Sequence, residues 1–96
     1  MIKVTKDIEL LHFYVDWSGA NLIQMPEIEK LSKAMPELKI RNIDVEKDEK
    51  TAISSGVEGL PTILITEGGK VVSKLTGVYK FEEIKQEIDA VFSNNN

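Results

Sequence analysis

Leu10-Leu11-His12-Phe13-Tyr14-Val15-Asp16-Trp17-Ser18-Gly19-Ala20-Asn21 changes character halfway along, and the change sets the reading of everything around it. The first six residues form a nearly unbroken apolar run, the composition of a short strand covered on both faces. Ser18 then stands at a natural helix N-cap, ahead of Ile28, Leu31 and Met35, which repeat at helical spacing on one face. A buried strand leading into an amphipathic helix over 19–35 is the expected unit. Pro36 closes that helix. Pro26 lies inside it, where the missing N–H predicts a kink.

Further along, residues 39–45 read as a second strand, with Arg41 and Asn42 interrupting its pattern. Residues 48–55 suit a short helix stopped by Gly56 in a left-handed cap. Thr62-Ile63-Leu64-Ile65-Thr66 is β-branched almost throughout and reads as a third strand. Gly68-Gly69 permits a two-residue hairpin turn into a fourth strand over 70–75, because both positions tolerate positive φ. Phe81, Ile84, Ile88, Val91 and Phe92 define the apolar face of a last helix whose start has no Ser, Thr, Asp or Asn cap. The strand–helix–strand crossover makes the first two strands parallel and right-handed, and the hairpin adds an antiparallel pair. The expected fold is α/β: a mixed four-stranded sheet with helices on both faces, in one domain over 1–92 followed by a polar tail, Ser93-Asn94-Asn95-Asn96.

Composition narrows the function. The 96 residues carry 12 basic and 16 acidic side chains, net −4, with neither sign gathered into a block. Such a surface lacks the basic stripe that a phosphate backbone requires, so nucleic acid is not an expected partner. There is no cysteine, hence no disulfide framework, thiolate metal site or thiol chemistry, and the single histidine, His12, makes a metal site improbable. No stretch approaches the length of a membrane span, and Met1-Ile2-Lys3-Val4-Thr5-Lys6-Asp7 does not have the form of a signal peptide. A cytoplasmic, monomeric protein without metal or cofactor is expected.

Several features, in their order and spacing, resemble the thioredoxin family over most of the chain: Trp17 ahead of the site, Pro26 in the helix, Asn42-Ile43-Asp44 at the end of a strand, Gly59-Leu60-Pro61-Thr62, and Gly77 after the hairpin. The resemblance implies the thioredoxin fold, with the family's first strand and helix reduced to residues 1–7 and with Pro61 in a cis peptide facing the site. It also implies that Ser18 and Asn21 occupy the positions of the family's two reacting cysteines, with Gly19 and Ala20 between them. His12 then stands where the family has a buried acid, and Ile40 where it has that acid's lysine neighbour.

Read for chemistry, Ser18 is a candidate nucleophile or simply a cap, and His12 a candidate base or a core histidine. A serine nucleophile needs a base within hydrogen-bond reach, an orienting group and an oxyanion hole, and no acid is evidently placed to orient His12. The cap and core readings are the expected ones, so no catalytic residue is assigned. Asn21 could bond Ser18, meet a partner or face solvent. Trp17, Gly19, Ala20, Leu60, Pro61 and Gly77 are expected to form a shallow groove for a protein or extended peptide, docking by strand addition beside Pro61. Trp17, the chain's only tryptophan, is the expected anchor. Two functions of different class follow. One is a redox-inactive binding module of thioredoxin fold. The alternative is a protein-disulfide oxidoreductase whose active-site cysteine has been substituted, for which Ser18 is a fitting isostere and Asn21 is not.

Overall fold

The computed structural model describes residues 7–93. In chain order these form β1 (Ile8–Tyr14), α1 (Gly19–Ala34), β2 (Lys39–Asp44), α2 (Glu49–Ser54), β3 (Thr62–Glu67), β4 (Lys70–Thr76) and α3 (Phe81–Ser93). The strands make one four-stranded sheet in the order β2-β1-β3-β4. β1 and β2 run parallel, with Leu10 beside Ile40 and His12 beside Asn42. β3 is antiparallel to both β1 and β4. The β3–β4 hairpin turns through Gly68 and Gly69 at φ 59° and 85°, in the left-handed region that glycine enters without a Cβ clash.

Alternation along the two central strands builds a core on each side of the sheet. Ile8 and Leu10 of β1 and Ile63 and Ile65 of β3 join Ile28 and Leu31 of α1 and Ile84, Ile88 and Val91 of α3. Leu11, Phe13 and Leu64 point the other way and pack with Ile43 and Ala52, the latter from α2. Burial on both faces explains why β1 and β3 read as continuous apolar runs. β2 is an edge strand, so Lys39, Arg41 and Asn42 reach solvent and its pattern is broken.

Pro26 lies within a helix that continues for another two turns, and the cap residue Met35 still donates its N–H to Leu31 O at 2.8 Å. On its outer side, Lys30 pairs with Glu27 at 3.2 Å. Phe92 is not core. It is 40% exposed, because Ile84, Ile88 and Val91 already define the buried stripe and the next residue lies about 100° further round the helix. Residues 1–6, on which the reduced first strand and helix would fall, lie outside the described residues, as do 94–96 of the tail; Ser93 is the last residue of α3.

Candidate functional site

Strand register brings the expected site residues to one end of the sheet. Ile43, Phe13, Thr62 and Thr76 lie in one row across β2, β1, β3 and β4. The segments 15–18, 45–48, 59–61 and 77–80 therefore all leave the sheet at that edge.

The first of these segments is the β1–α1 turn. Ser18 is the N-cap of α1 (φ −78°, ψ 133°), and its Oγ accepts the Ala20 N–H at 3.2 Å, satisfying one of the amides a helix start leaves unpaired. Gly19 is exposed and Ala20 half-buried. Trp17 is 75% exposed, and its indole Nε1–H donates to Glu46 Oε2 at 3.0 Å. Glu46 is presented by a tight β2–α2 turn in which Asp44 Oδ1 accepts the Glu46 N–H at 3.0 Å and Asp44 O accepts the N–H groups of Lys47 and Asp48. Trp17 is therefore held by Glu46 while most of its surface stays exposed.

The segments at 59–61 and 77–80 are joined. The Leu60–Pro61 peptide is cis. Leu60 is 40% exposed while Pro61 is buried, so Pro61 supports the surface from below instead of lining it. Pro61 O accepts the Gly77 N–H at 2.8 Å, and Gly77 has φ 104°, a value that side chains other than glycine's disfavour. Val78, next along, is again well exposed. The first turns of α1 add exposed Leu22 and Ile23, which together with Gly19 and Pro26 make an apolar outer stripe at i, i+3, i+4 and i+7.

β1 also carries a buried polar group ahead of this turn. His12 is fully buried, its ring stacked on Tyr14 at 5.3 Å. His12 Nδ1 lies 2.8 Å from Asn42 Oδ1, its register neighbour, so Nδ1 carries the proton and Nε2 is left as an acceptor. Among the described residues that Nε2 has no hydrogen-bond partner, and neither does buried Asn21 Oδ1. Burial pushes the His12 pKa below its ordinary value, an effect the Asn42 bond opposes. The group orienting His12 is thus an amide on β2, supplied by a segment the sequence had matched for another reason. His12 makes no bond to Ser18 among the described residues, and the Ser18 hydroxyl is occupied by Ala20, so no nucleophile–base pair is assembled.

Charged groups nearby do not form a second reactive centre. A cleft of about 420 Å³ beside the β2–α2 turn is lined by Tyr14, Arg41, Asn42, Asp44, Lys47 and Asp48, of mixed charge. No group of three or more His, Asp or Glu among the described residues is arranged to hold a metal ion.

Comparison with known proteins gives this geometry its relatives. The thioredoxin family model matches residues 1–90. The chain belongs to the thioredoxin family. It is 33% identical over 87 residues to the thioredoxin of Bacillus subtilis, covering 90% of this chain and 83% of that protein. It is 31% identical over 88 residues to the thioredoxin of Listeria monocytogenes, covering 91% and 85%. Among solved structures, an N21Q mutant thioredoxin from Halobacterium salinarum superposes with a TM-score of 0.82 at 28% identity, over 88% of this chain and 74% of the other. Thioredoxin-2, described as a component of the malaria parasite protein secretion machinery, shares the fold at a TM-score of 0.84 and 21% identity, over 94% and 88%. A thioredoxin without cysteine lacks the thiolate on which disulfide exchange depends. No helix among the described residues is long and apolar enough to cross a membrane.

Two residues at the site are not apparent from sequence reading. Glu46 lies 29 positions from Trp17, and nothing local marks it. Gln24, fully buried, did leave a signal: stepping back one turn from Ile28 on the buried stripe lands on a polar residue.

Proposed function

We propose that this chain is a redox-inactive thioredoxin-family module that binds a protein or an extended peptide through the surface around Trp17, Gly19, Ala20, Leu60, Pro61 and Gly77, acting as a monomer in the cytoplasm without metal or cofactor. The observation carrying the proposal is Trp17: a large aromatic group, 75% exposed and held by a hydrogen bond to Glu46, standing at the helix start where the chain has no sulfur. A tryptophan fixed in this way loses little side-chain entropy on binding and offers a large exposed aromatic surface to a partner. Exposed Leu60 and Val78 extend the apolar surface on the far side of the site. An extended partner would pair its backbone beside residue 60 and set alternate side chains on these groups.

The test is capture of partners from the native host by the immobilised chain, with Trp17→Ala as control. A protein retained by the wild type and lost from Trp17→Ala supports docking at this surface, whereas identical retention by both excludes it. The alternative, an oxidoreductase with a substituted cysteine, is decided by codons 18 and 21 of the source gene. Cysteine encoded at position 18 would replace the binding-only reading.

A further inference from the structure

The loop between β4 and α3 carries Gly77 and Val78 to the site, and it is tied down by α1 instead of by its own neighbours. Gln24 Nε2 donates to Tyr79 O at 3.0 Å, and Tyr79 N–H donates to Gln24 Oε1 at 2.8 Å. The side-chain amide thus pairs with both polar groups of one residue, as a peptide unit does in a ladder. One turn on, Glu27 Oε1 accepts the Phe81 N–H at 2.7 Å and supplies the first turn of α3 with an acceptor its own sequence lacks. Lys80 N–H, between them, donates to Glu83 Oε1 at 2.8 Å. At the near end of the loop, Gly77 N–H is held by Pro61 O at 2.8 Å.

These bonds run in series from α1 to the Leu60–Pro61 segment. Helix α1 starts at Trp17–Ser18, Gln24 ties it to Tyr79, the chain leads back through Val78 to Gly77, and Gly77 joins Pro61 and Leu60. Gln24 makes its link in that series through a fully buried side chain, and it stands in a stripe whose other buried members, Ile28 and Leu31, are apolar. An apolar residue would fill the same space, so the amide is explained by the two bonds it makes.

We propose that Gln24 is a positioning residue: it fixes the Gly77–Tyr79 loop against α1, so that the walls of the groove are set before a partner arrives. This inference rests on the groove reading above and adds the residue that pre-orders it. Val78 is displayed outward because the residues on either side are anchored, one to Pro61 and the other to Gln24.

The test compares the whole wild-type chain with Gln24→Met, which fills the space without polar atoms, Gln24→Asn, which keeps the amide but is one methylene too short, and Ile28→Val, a mild core change on the same helix face. Backbone amide exchange followed by NMR should show Tyr79 and Val78 exchanging about tenfold or more faster in both Gln24 variants, beyond any change at core amides of β1 and β3. Ile28→Val should move loop and core amides together. Binding of carboxymethylated insulin B chain, an extended peptide, is read in parallel by Trp17 fluorescence and should weaken about two- to tenfold in the Gln24 variants. Tyr79 exchanging at the core-corrected wild-type rate in both variants would overturn the clamp. Wild-type chain that ignores the peptide while the loop exchange accelerates would overturn the groove reading and leave Gln24 a structural clamp only, so the two failures are distinct.

Discussion

Acidification should destabilise this protein through His12, and a His12→Leu variant should lose that response. The imidazole is fully buried with Nδ1 given to Asn42 and Nε2 unpartnered. Burial holds its pKa in the folded chain below the ordinary value of 6.5. Between those two values the unfolded chain binds the proton and the folded chain does not. Stability is therefore full above pH 6.5, falls as the pH drops below it, and stops falling once the depressed folded pKa is passed. One group can contribute at most about 1.4 kcal/mol per pH unit, and 1 kcal/mol corresponds to about 4–8 °C in Tm for a domain of this size. The assay is urea denaturation of wild type and variant between about pH 8 and about pH 5, taken as a difference so that carboxylates common to both cancel. Near pH 8 the variant should lie within about 2 kcal/mol of wild type, since it loses one hydrogen bond but also removes a buried acceptor without a partner. The wild type should then fall relative to it as the pH drops. A flat difference would refute the buried neutral histidine. A difference of the opposite sign would show that protonated Nε2–H finds an acceptor, with Asn21 Oδ1 the first candidate.

Further expectations follow from other contacts. Ser18→Ala should cost about 1 kcal/mol in urea denaturation, the usual value of an N-cap, and an unchanged midpoint would mean that the Ala20 bond contributes nothing. Leu31→Ala, at a fully buried position facing both β1 and α3, should cost about 2–5 kcal/mol. The Phe81 N–H, aided by Lys30, holds the Glu27 carboxyl below its ordinary 4.5, so its contribution is present above pH 4.5 and lost as the pH falls through the lowered value. Glu27→Gln should remove that acid limb from the denaturation profile. The chain as it stands should show no insulin reduction with dithiothreitol above the protein-free control, and Ser18→Cys with Asn21→Cys should restore exchange, slowly, because His12 and Ala20 remain.

How much of this was legible beforehand follows from the range of each interaction. The strands were readable where burial on both faces forces an apolar run, as at 10–15 and 62–66, and less so at β2, where edge exposure of Arg41 and Asn42 weakens the pattern. Gly68-Gly69 announced its hairpin because positive φ is a local demand. The start of α3 could not be fixed locally because one of its acceptors, Glu27, sits on another helix. Phe92 reads as part of the apolar face yet is exposed, because a hydrophobic residue near a buried stripe looks the same in sequence whether or not it is covered.

The site divides along the same line. Sequence alone established that no thiol chemistry can occur here and that Ser18 would cap a helix, and motif order carried the resemblance that groups Trp17, Leu60, Pro61 and Gly77, because composition, capping and motif order are properties of the chain itself. Folding decided which partners those residues have: Glu46 for Trp17, Asn42 for His12, Gln24 for Tyr79. These bonds span 29, 30 and 55 positions, and only the sheet register and the crossing of α1 over it bring their atoms within 3 Å.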